Sequence, residues 1–162
     1  GAARGEEERA TVVACFVGDG GTTYQGGCPA ASVMVPYLAA ATAPTNGQFF
    51  SETDRQRLLA DDNPDNDARA GWMEVNIRDT GATIQTHSGS DHAPFNQVGI
   101  PGLYSDEVGR SNYRYGWHTQ YDRLDLAIEE YLVQSATNAA ITAYNLACAP
   151  EMLPRASQGG DE

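Results

Sequence analysis

Residues Thr11–Val17 (TVVACFV) form an unbroken run of apolar or β-branched side chains that stops at Gly18-Asp19-Gly20-Gly21. A strand with one wet face would alternate. A short continuous run closed by glycines instead predicts a strand buried on both faces of a parallel sheet. Parallel strands need crossover connections, usually helical, so this feature points to an α/β fold. Other segments supply the partners. Met73, Val75 and Ile77 alternate with Glu74, Asn76 and Arg78, which predicts a strand over Trp72–Arg78 with one face buried. Val98–Tyr104 reads as a further short strand. Ala30–Ala41 suits a helix ending before Pro44, and Ser51 or Thr53 suits the cap of a short helix through Leu59. Leu124–Cys148 is the longest expected helix. Ile128, Leu132, Ala136, Ala139 and Ala143 recur at helical spacing, Tyr131, Ile141, Tyr144 and Leu146 widen the apolar face, and Pro150 and Pro154 stop it. The expected architecture is α/β, a mostly parallel central sheet flanked by helices. Residues 1–10 read as a polar lead-in, 11–150 as one domain body and 151–162 as a polar tail.

Charge removes several function classes. The 162 residues carry 22 acidic and 10 basic side chains, all ten of them Arg, for a net charge of −12. A nucleic-acid binder needs clustered cations against phosphate, so no nucleic-acid partner is expected, and an anionic membrane surface repels such a chain. A hydrophobic content of 41% is enough for a core. The apolar runs fall far short of the roughly 20 residues of a membrane span. Cys15, Cys28 and Cys148 are an odd set in no zinc-finger or CxxC pattern; Cys15 reads as a core residue and Cys28, beside Pro29, as a loop thiol. The Lys-free acidic composition suits an extracellular or periplasmic protein. A chain beginning at Gly1 is expected to have lost something upstream by processing or truncation.

The chemistry must come from few groups. The histidines are His87, His92 and His118. A Ser90–His118–Asp122 triad assembles on paper, but Ser90 sits in SGSDH rather than a GxSxG elbow. Metal binding reads better. Asp19 lies just past the carboxyl end of the first strand, where open α/β sheets build their sites, and His118 lies in a polar loop before the long helix. Carboxylate and imidazole are both zinc ligands. Gly-Asp-Gly-Gly is also ordinary turn chemistry, and His118 also reads as a solvated loop histidine. In Asp61–Asp67 (DDNPDND), Asp61, Asn63 and Asp65 have the spacing of a calcium loop and would make the chain a calcium-binding interaction module. However, Asn66 replaces the glycine and Trp72 the bidentate Glu, so a solvated acidic insertion is the plainer reading.

The segments Gly89–Pro101 (GSDHAPFNQVGIP) and Tyr115–Asp122 (YGWHTQYD), followed by a long helix, resemble the C-terminal half of the di-zinc exopeptidases. That family includes bacterial leucyl aminopeptidases, carboxypeptidase Q and glutamate carboxypeptidases. Val17–Gly27 (VGDGGTTYQGG) resembles its carboxypeptidase Q-like branch, and the resemblance runs with gaps over residues 11–150. It implies that Asp19 binds one zinc and His118 the other. Ser90, Asp91 and Asp122 fall where hydrogen bonds orient ligands or hold substrate; local loop capping explains these three equally well. His92 is not a ligand in this pattern. The family also uses an HxD segment and a Glu-Glu pair, the latter supplying the general base. Neither is present: Glu6-Glu7-Glu8 ends only 11 residues before Asp19 and reads as a solvated charge run. Trp117 stands where Tyr or His is common. The resemblance therefore implies a terminal peptidase acting on a peptide or dipeptide through a two-zinc-activated water. This chain would carry only part of the site, would be inactive alone, and would be completed by the N-terminal half, in the same polypeptide or as a separate chain. Rival readings on the same scaffold are a non-catalytic binding domain and a one-zinc glutaminyl cyclase.

Overall fold

The structure, a computed structural model, describes residues 2–19, 24–49, 56, 60, 74–85, 89–108 and 113–156. The apolar run Thr11–Val17 becomes a strand only at its end. Helix α1 (Ala2–Thr11) takes Thr11, and strand β1 is Cys15–Val17. Within the described residues β1 pairs in parallel with β4 (Gly102–Tyr104), in the register Cys15↔Gly102 and Val17↔Tyr104. Phe16 is 40% exposed and its neighbours half-buried, which corrects the expectation of a strand buried on both faces. Such burial needs cover on both faces, and a two-stranded ladder offers little of it.

A second sheet is ordered β3-β2-β5. Strand β2 (Tyr24–Ala30) lies parallel to β3 (Asn76–Asp79) and antiparallel to β5 (Asp106–Val108). The α/β class therefore holds, with two parallel ladders and one antiparallel. The alternation around β3 holds where it is described: Val75 and Ile77 are buried, Asn76 and Arg78 exposed. Trp72 and Met73, most of the expected Ser51–Leu59 helix and the whole of Asp61–Asp67 lie outside the described residues.

Strand β2 falls where a loop and the start of a helix were expected. Its sequence YQGGCPA has no β-branched residue, so propensity hides it. Packing makes it a strand. Cys28 sits opposite Ile77 and joins Ala30, Ala31, Met34, Leu38, Leu103, Leu146 and Leu153 in the main core. It is not a loop thiol. Burial, with the Asp106 charge adding to it, pushes the Cys28 thiol up to about 12. Cys15 is raised too, by burial and then by Asp91. Since thiolate is the reactive form, iodoacetamide at pH 8 is expected to label exposed Cys148 first, Cys15 next and Cys28 only on unfolding. Labelling of Cys28 as fast as Cys148, read by mass spectrometry, would remove β2 from the core.

Helix α2 (Val35–Phe49) starts later than expected and runs through Pro44. Proline removes the bond to the Ala40 carbonyl, but Pro44 and Ala40 lie on the exposed side, where water can satisfy that group. The short helices α3 (His92–Gln97) and α4 (Tyr113–Gly116) and a 3₁₀ turn (Leu124–Leu126) precede α5 (Glu129–Ala147).

Helix α5 starts at Glu129, after the 3₁₀ turn, rather than at the expected Leu124, and part of its expected apolar face turns outward. Tyr131, Gln134, Asn138, Thr142 and Leu146 are buried, whereas Leu132, Ala136, Ala139 and Ala143 are exposed. The buried polar groups all have partners. Pairing of β2 with β3 begins at Gly27, and two residues earlier a side chain takes a strand's place: the Gln25 N–H donates to Gln134 Oε1 at 3.0 Å, and Gln134 Nε2 donates to the Gln25 carbonyl at 3.1 Å. Asn138 Nδ2 donates to Gln25 Oε1 at 2.8 Å, and Asn138 Oδ1 accepts from Thr45 of α2 at 3.0 Å. A buried amide left without partners costs about 1–3 kcal/mol, so these bonds settle which face turns inward. Residues after α5 also pack: Leu153 is buried, and Arg155 donates to the Gly99, Arg9 and Val12 carbonyls, tying the end of α1 to the loop before β4.

Candidate metal centre

Backbone bonds bracket β1: the Cys15 N–H donates to the Pro101 carbonyl at 2.8 Å, and the Ser105 N–H to the Val17 carbonyl at 3.0 Å. Asp19, two residues beyond the strand, is exposed. The Ser90 hydroxyl donates to Asp19 Oδ2 at 2.6 Å across 71 residues of sequence. That proton is committed to a carboxylate, so the structure does not build the Ser90–His118–Asp122 triad.

Ser90 owes its place to α3, which begins two residues after it. His92 is fully buried and packs edge-on against Tyr104, with centroids 5.2 Å apart. Asn96 pairs both backbone groups of Gly102: Nδ2 donates to the carbonyl at 2.9 Å, and Oδ1 accepts from the N–H at 2.7 Å. A Cβ at Gly102 would lie 2.1 Å from the His92 carbonyl oxygen, so glycine is what lets α3 press onto β4. Much of the segment Gly89–Pro101 therefore builds the platform that presents Ser90. Asn96, which no local pattern singles out, is its clamp. Asp91 is exposed, on the side of Cys15.

His118 stands on a different device. Its φ of 56° is the only positive value among the described non-glycine residues, a left-handed conformation that persists only where its surroundings impose it. Thr119 imposes it: its hydroxyl lies 2.8 Å from the Tyr115 carbonyl and 2.9 Å from that of Gly116, and accepts from the Tyr121 N–H at 3.1 Å. The imidazole stacks on Trp117 at 4.2 Å, and Trp117 stacks on Tyr113 at 5.9 Å. Asp122 is exposed and sits against Gly116 at the base of the turn.

Electrostatics links the two halves. The Tyr113 phenol is raised by burial and then by the charges of Asp19 and Glu107. Tyr104, whose hydroxyl donates to Glu107 at 2.9 Å, is held far above the usual phenol range by burial, by that bond and by the same carboxylates. The charge of Asp19 is thus felt at Tyr113, which opens the ring stack ending at His118. Alongside runs a cleft of about 430 Å³ lined by Pro29, Arg78, Gln85, Tyr104, Ser105, Asp106 and Glu107. Within it the Arg78 guanidinium grips the Asp106 carboxylate by two bonds of 2.7 Å.

A catalytic zinc takes three protein ligands. Asp19 and His118 are of the right chemical kind, and Ser90 orients the first as a ligand carboxylate is usually oriented. Among the described residues, however, no three His, Cys, Asp or Glu side chains gather. The described residues thus supply donors of the kind that zinc takes without gathering three of them in one place. Nor is any helix among them long and apolar enough to cross a membrane.

Comparison with known proteins gives a family match. The model of peptidase family M28 matches residues 31–143, more than two thirds of the chain, and so takes in Ser90, Asp91, His118 and Asp122 while Asp19 precedes it. No curated protein and no solved structure matches. The chain belongs to peptidase family M28, the zinc-dependent aminopeptidases and carboxypeptidases.

Proposed function

We propose that this member of peptidase family M28 is an exopeptidase that removes terminal residues from peptides, with Asp19 and His118 each binding one ion of a two-zinc centre. The other ligands and the general-base Glu come from chain outside these 162 residues, either as the N-terminal half of one polypeptide or as a separate partner. The observation that carries this is the 2.6 Å bond from Ser90 to Asp19. It puts the carboxylate after β1 in the grip of the segment that resembles the exopeptidase motif, across 71 residues of sequence. What zinc supplies in such a centre is an acidified water for attack on the terminal peptide bond.

This chain's own residues orient and select. Ser90 fixes the Asp19 carboxylate, and the Thr119 turn fixes His118. Trp117, 53% exposed beside His118, and Tyr113 behind it offer a flat apolar wall to the terminal side chain. Peptides with an apolar or aromatic end residue are the expected substrates. The Lys-free acidic composition supports a site of action outside the cytoplasm.

Zinc content after extensive dialysis, read by mass spectrometry beside hydrolysis of a dipeptide panel, tests the shared-site reading. The 162-residue chain is expected to hold almost no zinc and to turn nothing over. Two zincs per chain with chelator-sensitive turnover would overturn it and assign the missing ligands to residues within the chain, Glu7, Glu8 and His92 first.

A further inference from the structure

A second cleft, of about 350 Å³, lies at the amino end of the β1–β4 ladder, opposite the end that leads to Asp19. Glu6, Arg9 and Ala10 of α1 line it together with Val98 and Ile100 of the loop before β4, and Arg155 joins them. Two guanidinium groups thus share one cleft in a chain of net charge −12. Elsewhere arginine is gripped by carboxylate: Arg78 by Asp106, and Arg123 by Asp125. Arg9 and Arg155 are held by neutral groups instead. Arg9 Nε donates to the Gly5 carbonyl at 3.1 Å. Arg155 Nη2 donates to the Val12 and Arg9 carbonyls at 2.6 and 3.3 Å, and its Nη1 to the Gly99 carbonyl at 3.3 Å. These bonds use one of the five N–H groups of Arg9 and three of those of Arg155, so both keep donors to spare. Among the described residues no carboxylate pairs with either. Glu6 stands three residues before Arg9, on the same side of the helix, and no ion pair joins the two.

We propose that this cleft binds a free apolar α-amino acid as its zwitterion, with the carboxylate on Arg9 and Arg155, the ammonium on Glu6 and the side chain against Ala10, Val98 and Ile100. Each part of the ligand answers a part of the lining. Guanidinium forks match a carboxylate in both charge and shape. A plain anion would meet the Glu6 carboxylate unopposed, whereas an ammonium turns that carboxylate into a partner. An α-amino acid carries its two charges on one carbon, as close together as side chains three apart on a helix, roughly 5–6 Å between Cβ atoms. A longer peptide separates its termini by a further ~3.3–3.6 Å per residue and loses that match. Val98, 47% exposed, gives the apolar side chain a surface to cover. The volume is at the lower end of the roughly 300–1,000 Å³ of small-molecule sites, as a small ligand requires. Because the cleft and Asp19 lie at opposite ends of the ladder, the ligand does not compete with a peptide at the candidate metal centre. Removal of an apolar end residue would release a molecule of this class, so the cleft suits the product of the proposed reaction. The binding itself needs neither zinc nor turnover.

Titration of the zinc-free 162-residue chain with leucine, followed by two-dimensional ¹H–¹⁵N NMR, tests the proposal. Saturable shifts are expected at the amides of Arg9, Gly99 and Ile100. Leucinamide, which lacks the carboxylate, and N-acetylleucine, which lacks the ammonium, are each expected to bind at least tenfold more weakly. Glycine, without the apolar side chain, should also fall well below leucine. Arg9→Gln and Glu6→Gln, both at exposed positions of α1, should each weaken leucine at least tenfold with unchanged circular dichroism. Should Arg9→Gln disturb α1, Glu6→Gln and the two leucine derivatives decide. Absence of saturable shifts up to the solubility limit of leucine overturns the proposal, as does binding indifferent to both variants. Leucinamide or N-acetylleucine binding as well as leucine overturns it too, since the cleft would then read one charge and not the zwitterion. Shifts confined to Trp117 and His118 would put leucine on the wall proposed for the substrate's end residue. That result would support the peptidase reading while removing this one, so the two fail separately.

Discussion

Gly27→Ala is expected to destabilise the chain by about 4 kcal/mol or more, enough to leave a marginal domain largely unfolded. Gly27 has φ +120°, a conformation side chains rarely adopt, and an added Cβ would lie 1.8 Å from the Asn76 carbonyl oxygen, with the Asn76 carbon and nitrogen at 2.5 and 2.6 Å. These are backbone atoms of the paired strand, not the tip of a flexible side chain. Relief requires β3 to move off β2, which breaks the Cys28↔Ile77 register and opens the main core. Gly81 is the internal control. Its φ is +88°, but nothing lies within 4 Å of an added Cβ, so Gly81→Ala carries only the conformational term of roughly 1–2 kcal/mol. Urea denaturation of both variants should separate them by at least ~2 kcal/mol. Equal losses would mean that β2 and β3 are not paired at Gly27.

The same region shows what can be read from the sequence and what cannot. The α/β class, the alternation at Val75 and Ile77 and the presence of α5, though not its start, are local patterns, and each is legible because local hydrophobic period and local structure agree there. β2 is not, because its strand character comes from neighbours on two sides while its own residues, two glycines and a proline among them, argue against it. The inward face of α5 is hidden for a related reason. Alanines at 136, 139 and 143 count as apolar in a periodicity but bury little area, whereas Gln134 and Asn138 gain hydrogen bonds from Gln25, over a hundred residues away. Period analysis cannot see a distant partner. Among the candidate site residues, the relation of Ser90 to Asp19 is reachable only through family resemblance, since 71 residues separate them. The ring stack before His118 is there to be read: Tyr113 and Trp117 are four apart, the spacing that brings side chains together on one helical turn.

On the proposed two-zinc reading, Asp19→Ala and His118→Ala in the zinc-loaded enzyme are each expected to lower kcat/KM by a factor of about 10³ or more, some 4 kcal/mol of transition-state stabilisation. Each is also expected to strip zinc from the protein. Ser90→Ala should sit between these variants and the wild type. It leaves both ligand atoms in place but frees the Asp19 carboxylate to rotate away from the position the 2.6 Å bond enforces. Loss of such an orienting contact typically costs 10–100-fold in metal affinity or activity. Ser90→Thr, which restores the hydroxyl, should recover most of the zinc, and this recovery separates an orienting role from a merely structural one. Asp122→Asn should have the smallest effect, since that carboxylate lies at the exposed base of the turn. Zinc titration with a chromogenic chelator, run beside terminal-residue release, gives the order directly. An Asp19→Ala enzyme that keeps its zinc and its turnover would return Asp19 to ordinary turn chemistry. The Ser90 bond would then be a loop cap, and His118, held in its strained turn by Thr119, would be the one ligand this stretch contributes.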